Sequence, residues 1–151
     1  LFEIKSLGIL KIFPQILIPE EVAHELHNHN VPLPPKLIIS PIASKWKDTV
    51  KILTNQYNLD LGESCAIALS LQEQAGYFLT DDLEARTVAK HYSIEVHGTV
   101  GLILRAFRKH LFDKEQAIEK IQALHKESSL FITGDIIREI IEEIEKFSRK
   151  K

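Results

Sequence analysis

Short apolar runs alternate with segments of helical periodicity, and this order constrains the fold more than any other feature of the sequence. The runs lie near residues 16, 38, 77 and 94. Strands that are separated by helices form parallel sheets, because the helices carry the chain back along a face of the sheet. We therefore expect an α/β fold with a parallel sheet. Ligands in such folds bind outside the carboxyl ends of the strands.

Three helices have clear start signals in the sequence. Pro19 and the two glutamates after it predict a helix start, since proline suits the first turn and acids favour the positive end of a helix. Asp60 and Glu63 have the spacing of a capping box, and Gly76 is placed to close that helix. A third helix is predicted from Asp82 to about residue 92.

Apolar spacing predicts further helices elsewhere. The final one begins near Thr133 and carries a sharp isoleucine stripe. Thr99 is expected to cap the helix that runs to about residue 109. The remaining predicted helices cover residues 1–13 and 46–57 and a segment that opens at Asp113.

The length and composition favour one globular domain over residues 1–151. A chain of 151 residues with 44% hydrophobic and 26% charged residues is large enough to bury a core. The net charge of -2 excludes a strong overall basic field for nucleic acid. The single cysteine, Cys65, excludes an internal disulfide and fits a reducing, cytoplasmic compartment. No apolar run approaches the roughly 20 residues that span a bilayer, so no membrane partner is expected.

Carboxylates follow several of the predicted strands and are expected to meet at one edge of the sheet. They are Glu25, Glu63 and the adjacent pair Asp81 and Asp82. Clustered carboxylates repel each other unless a cation is present, and hard oxygen ligands select Mg²⁺ or Mn²⁺. Such a site suits phosphodiester hydrolysis, since the metal activates water and neutralises phosphate charge.

Each carboxylate also has a structural interpretation. Glu63 completes a capping box, Asp82 caps a helix, and Glu25 is a solvated acid. Asp81 is harder to explain in this way, because one cap needs only one aspartate. The spacing of the residues leaves both interpretations open.

The basic residues are similarly ambiguous. Arg86, one helical turn after Asp82, either pairs with an acid or contacts phosphate. Arg105 and Arg108 either form a solvated helix end or contact RNA. For the histidines His24, His27 and His29, a polar helix face is favoured over metal binding.

The stretch "LDLGESCAIALSLQEQAGYFLTDDLEARTVAKHYSIEVHGTVGLILRA", residues 59–106, resembles a PIN domain of the VapC-like branch. The upstream "ILIPEEVAHEL" resembles the second strand and helix of that family. The resemblance covers most of the chain. It implies a three-layer α/β/α sandwich with a central parallel sheet and a Mg²⁺- or Mn²⁺-dependent ribonuclease. It also implies an RNA substrate, an antitoxin protein as partner and a homodimer.

The resemblance places the family's acids on Glu25, on Glu63 and on either Asp81 or Asp82. The family's opening strand ends in an aspartate, and nothing in this chain matches it, because Leu1 falls just after that position. Either a segment with that strand precedes Leu1, which the absence of methionine from the chain favours, or this branch lacks the acid.

Two functional hypotheses follow. The first is a ribonuclease whose metal acids are Glu25, Glu63, Asp81 and Asp82. The alternative is a catalytically silent PIN-like module that acts through a protein partner, which the incomplete set of acids favours. A phosphotransfer receiver ranks below both, since its set of acids and lysine cannot be placed on this sequence.

Overall fold

The computed structural model describes residues 1, 5–34 and 36–149. The chain comprises two compact units. The α/β unit is residues 13–97, and the helical unit combines residues 1–12 with residues 98–151. The expected single domain over residues 1–151 stays a prediction.

The α/β unit has the predicted alternation of strands and helices. Two of the predicted strands, at residues 16–18 and 37–39, are present at those positions. Short 3₁₀ and α-helical segments separate the strands. The elements are β1 (Ile16–Ile18), α1 (Glu20–Asn28), β2 (Leu37–Ile39), a 3₁₀ turn (Ser44–Trp46), α2 (Lys47–Gln56), α3 (Leu61–Gln72), β3 (Phe78–Leu79), α4 (Leu83–His91) and β4 (Val96–His97).

The strands form two parallel pairs. β1 pairs with β2, and β3 pairs with β4. Parallel pairing and the α/β class agree with the sequence-based prediction. The single central sheet does not appear among the described strands, because β1 and β3 are not hydrogen-bonded neighbours. The described strands therefore make two small sheets.

Helix α3 lies at the centre of the α/β unit because nearly all its side chains are apolar or small. It packs against α1, α2, α4 and β3. Its buried side chains pack in a core with side chains from α2, β3, α4 and the loops between these elements. The members of this core are Leu53, Leu59, Ile67, Phe78, Ala85, Val88, Ala89 and Ile94.

The end of α3 differs from the prediction. The helix stops at Gln72, before Gly76. Gln74 adopts the left-handed conformation, with φ of 50°. The Ala75 N–H then donates to the Ser70 carbonyl at 2.9 Å, which is the wide closing bond of a Schellman motif. Because a glutamine takes the position that usually selects glycine, Gly76 was a misleading signal.

Two other observed boundaries differ from the predicted ones. The last strand is β4, Val96–His97, so it starts later than the predicted "SIEV". Thr99 is the first residue of the next helix, and Gly98 occupies the capping position that we expected for it. Gly98 has no side chain that could cap the helix, and its carbonyl accepts the first intrahelical bond, from the Leu102 N–H.

The helical unit consists of a 3₁₀ helix and three α-helices. The predicted helix over residues 1–13 is present only as the 3₁₀ segment, and residues 2–4 lie outside the described residues. The capping box at Asp113 and Gln116 is confirmed, with the Gln116 N–H donating to Asp113 Oδ1 at 2.7 Å. The predicted isoleucine stripe is buried at Ile137, Ile140 and Ile144. The elements are the 3₁₀ helix Leu7–Ile12, α5 (Thr99–Arg108), α6 (Lys114–Glu127) and α7 (Gly134–Arg149).

Within the described residues, no helix combines the length and the apolarity that crossing a membrane requires.

The buried face of α2 provides a direct test of the core. Leu53 is fully buried, whereas its neighbour Ile52 keeps 40% of its surface exposed. We expect Leu53→Ala to lower the free energy of unfolding by about 2–5 kcal/mol, because a buried cavity remains. Ile52→Ala should change it by less than about 0.5 kcal/mol. Urea denaturation measures both, and equal losses would show that α2 packs through a different face.

Candidate functional site

The first turn of α3 holds two carboxylates in a capping box, as predicted. The Glu63 N–H donates to Asp60 Oδ1 at 2.7 Å, and the Asp60 N–H donates to Glu63 Oε2 at 3.4 Å. Each of these bonds uses a single oxygen of its carboxylate. The capping role therefore leaves acceptor capacity on both side chains.

Glu25 reaches the same turn from α1. A Cβ atom placed on Gly62 would lie 2.5 Å from Glu25 Oε1, which is closer than real contacts allow. The Glu25 carboxylate therefore packs directly against the backbone at Gly62, and a residue without a side chain makes this approach possible. The structure thus brings Glu25 beside the residue that precedes Glu63.

Asp82 approaches Glu63 from the start of α4. It caps that helix, with the Ala85 N–H donating to Asp82 Oδ1 at 2.7 Å. The Thr80 hydroxyl accepts from the Asp82 N–H at 3.1 Å and so fixes the turn after β3. The negative charge of Asp82 raises the pKa of Glu63, so the two carboxylates lie within electrostatic range of each other.

The Glu63 carboxyl is the electrostatic centre of this group. Burial raises its pKa most, and the charges of Asp60 and Asp82 raise it further. The backbone hydrogen bond from Asp60 opposes this change, while Glu84 adds a smaller increase. The charges of three other carboxylates, those of Asp60, Asp82 and Glu84, therefore act on Glu63 at this helix terminus.

The second aspartate of the predicted pair has a different position. Asp81 is half-buried in the turn between β3 and α4. The charge of its neighbour Asp82 acts on the pKa of Glu63. Both residues remain candidates for a ligand at this edge.

The donor chemistry of this group suits a hard divalent cation, since every candidate ligand is a carboxylate oxygen. The arrangement is less complete. Across residues 5–34 and 36–149, no three side chains of His, Cys, Asp or Glu form a group that could hold a metal ion. Glu25 contacts the backbone at Gly62, and the charge of Asp82 acts on Glu63. These carboxylates do not form a single ligand group.

A second interaction between α1 and α3 was not anticipated from the sequence. Cys65 is buried, as expected. Burial, and then the interaction of the thiol with the nearby Glu21 carboxylate, raise the pKa of Cys65 to about 12. A thiol with this pKa stays protonated at neutral pH, so Cys65 is not a nucleophile.

Other residues of the site were also missed. Gly62 was given no role, although a glycine in the first turn of a helix, where alanine is favoured, signals a close approach. Ser64 is fully buried and is satisfied by a hydrogen bond from the Thr54 hydroxyl at 3.1 Å. Glu21 lies one turn before Glu25 on the same face of α1, and that spacing could have identified it.

The remaining candidates are arginines and histidines. Arg86 is half-buried on α4, one turn after Asp82, and makes no ion pair with any described residue. Arg105 and Arg108 belong to α5 of the helical unit, where Arg108 pairs with Glu143. The side chains of His24, His27 and His29 are exposed, which agrees with the polar helix face.

A cavity of about 650 Å³ opens beside the carboxylates within the α/β unit. Its walls come from β1, β3 and α3. Glu25, Asp60 and Glu63 line it at the N-terminal end of α3. Most of the other lining side chains are apolar, so the acids are the principal charged groups in this space.

A family model described as a PIN domain, DUF3368, matches residues 1–146. The chain belongs to the PIN-domain family. This PIN domain therefore has a nuclease-like fold, of a kind that interacts with nucleic acid. A comparison with curated proteins and another with solved structures each gave no significant match.

The raised pKa of Glu63 gives a prediction for this PIN domain. The folded protein binds the proton of Glu63 more tightly than the unfolded chain does, so stability falls as pH rises from about 4.3, the unfolded value, through the raised pKa. Glu63→Gln removes this cost and keeps a capping-box side chain. We expect the variant to be more stable than the native protein at pH 7 and to lose that advantage below pH 4.

Urea denaturation at the two pH values measures this difference. Glu119→Gln, an exposed change on α6, is the control and should leave the pH dependence unaltered. A Glu63→Gln variant that is less stable than the native protein at pH 7 would contradict the electrostatic analysis.

Proposed function

We propose that this PIN domain is a metal-dependent endoribonuclease of the VapC type, which hydrolyses RNA phosphodiester bonds with Mg²⁺ or Mn²⁺. The observation that carries the proposal is the crowding of carboxylates around Glu63. Their mutual repulsion costs free energy in the protein alone, and a divalent cation would relieve it. Family membership makes RNA chemistry the natural use of such a site.

In this proposal Glu63 and Asp82 are the principal ligands, and Glu25 and Asp81 complete the set. The capping bonds occupy Glu63 Oε2 and Asp82 Oδ1, so the second oxygen of each carboxylate is the proposed donor to the cation. The bound metal would supply an activated water and would neutralise charge on the phosphate. The backbone bonds of the caps hold both carboxylates in place while this occurs.

The proposed phosphate contacts are arginines. Arg86 is the first candidate, because it is half-buried, follows Asp82 by one turn and has no ion pair among the described residues. Arg108 would have to exchange Glu143 for a phosphate oxygen. Arg105, on the same helix, is the third proposed contact.

The VapC resemblance supports the wider parts of the proposal. They are a three-layer α/β/α arrangement with one central sheet, an antitoxin protein as partner, a homodimer and a cytoplasmic location. The absence of strong net charge fits a substrate that is held by a local site and not by a general basic surface.

The direct test is RNA cleavage in the presence of Mn²⁺. We expect Glu63→Gln and Asp82→Asn to lose about 100-fold or more in rate, since changes even in the partners of metal ligands cost 10–100-fold. Both variants should fold, because glutamine and asparagine can form the same caps. Asp81→Asn, measured beside them, shows which aspartate of the pair binds the metal.

Asp48→Asn is the matched control, because Asp48 is an exposed carboxylate on α2 that pairs only with Lys51. It should cleave RNA at the native rate. Equal activity of the native protein and of the Glu63, Asp81 and Asp82 variants would remove the hypothesis.

A catalytically silent binding module is the second candidate. It is favoured by the observation that no three of the described carboxylates form a group that could hold a metal ion. Calorimetry with Mn²⁺ separates the two functions. The ribonuclease requires binding that Glu63→Gln weakens by at least about tenfold, whereas a silent module shows no heat of binding at millimolar metal.

A further inference from the structure

Gly62 lies in the first turn of α3 in a conformation that does not require glycine. No described glycine has a positive φ, and position 62 belongs to a regular helix. Glycine is less favourable than alanine in a helix, and replacing it at a compatible position stabilises a protein. Gly62 therefore lowers the stability of α3, and the reason for a glycine at this position lies in its surroundings.

The space that a side chain at position 62 would occupy is taken by Glu25. The nearest heavy atoms to a Cβ placed on Gly62 are Glu25 Oε1 at 2.5 Å and the Cδ and Oε2 of the same residue, each at 3.1 Å. All three atoms belong to one carboxylate. A Cβ placed on Gly76, beyond the other end of α3, has nothing within 4 Å. The group that Gly62 accommodates most closely is thus the Glu25 carboxylate.

The packing of α1 on α3 holds the backbone of Glu25 in place. After burial, the charge of Glu21 and then that of Glu25 raise the pKa of the Cys65 thiol. Glu21 therefore faces Cys65, while Glu25 faces Gly62, so the two helices run antiparallel at this contact. Because the helices are fixed against each other, the Glu25 side chain has to adapt to any group at position 62.

We propose that Gly62 is a positioning residue of the metal site, which sets how far the Glu25 carboxylate reaches along the cavity wall that it shares with Glu63. An alanine Cβ would push the carboxylate back by about 1 Å before the contact reached the ordinary 3.4 Å. A ligand set has to be held to within about 0.5 Å, so this displacement is large. The inference rests on the proposed function, in which Glu25 is a ligand.

The experiment is calorimetry with Mn²⁺ in the absence of RNA. We expect Gly62→Ala to weaken Mn²⁺ binding by about tenfold or more, because the Glu25 carboxylate is displaced from the site. The midpoint of urea denaturation of this variant should equal or exceed that of the native protein, since alanine suits the helix. Gly76→Ala is the matched control, which has no carboxylate to displace and should leave the Mn²⁺ affinity unchanged.

A second background separates positioning of Glu25 from a general effect on α3. Glu25→Ala should itself weaken Mn²⁺ binding by about tenfold or more, because it removes a proposed ligand. Adding Gly62→Ala to this variant should cause no further loss, since no carboxylate remains to be displaced. A role of Gly62 that is independent of Glu25 would instead give additive losses in this double-mutant cycle.

Equal Mn²⁺ affinity of Gly62→Ala and the native protein would overturn this inference and leave the proposed metal site intact. A further loss when Gly62→Ala is added to Glu25→Ala would also overturn it. The same holds for a lower urea midpoint of Gly62→Ala, because more than the end of one side chain would then need the space. Absence of Mn²⁺ binding by the native protein would remove the proposed metal site, and this inference with it.

Discussion

Burial of α3 is the constraint on which the rest of the α/β unit depends. The helix is apolar from Cys65 to Leu71, so it can exist only under cover of its neighbours. Covering it fixes the position of its first turn, which carries Asp60 and Glu63. The core therefore fixes the position of this charged end. The helices that carry the acids cannot move apart without exposing the buried face of α3.

Capping and chemistry do not compete at this terminus. A carboxylate that caps a helix uses one oxygen and keeps the other. Asp60 and Asp82 each cap a helix start, and both of those starts converge on Glu63. The caps orient the carboxylates, and burial first, then the charges of Asp60 and Asp82, raise the pKa of Glu63. The proposed metal site depends on this arrangement, in which caps hold carboxylates whose charges act on one another.

Features encoded within a few residues could be read from the sequence. The strand at Ile16–Ile18 and the caps at Asp60, Asp82 and Asp113 were predicted because each depends on local spacing. The contact of Glu25 with Gly62 and the influence of Glu21 on Cys65 were not, since each joins elements that are distant in sequence. The division of the strands into two pairs is likewise a tertiary outcome. Gln74 shows the limit of local rules, because it takes a conformation usually left to glycine.

The most direct measurement is the pKa of the Glu63 carboxyl, read from its carbon-13 chemical shift during a pH titration with and without Mg²⁺. Without the metal, the pKa should lie above the ordinary glutamate value, as burial and the nearby carboxylates require. With millimolar Mg²⁺ it should fall clearly, since a bound cation stabilises the ionised form. A pKa that Mg²⁺ does not change would contradict a metal site at this helix terminus.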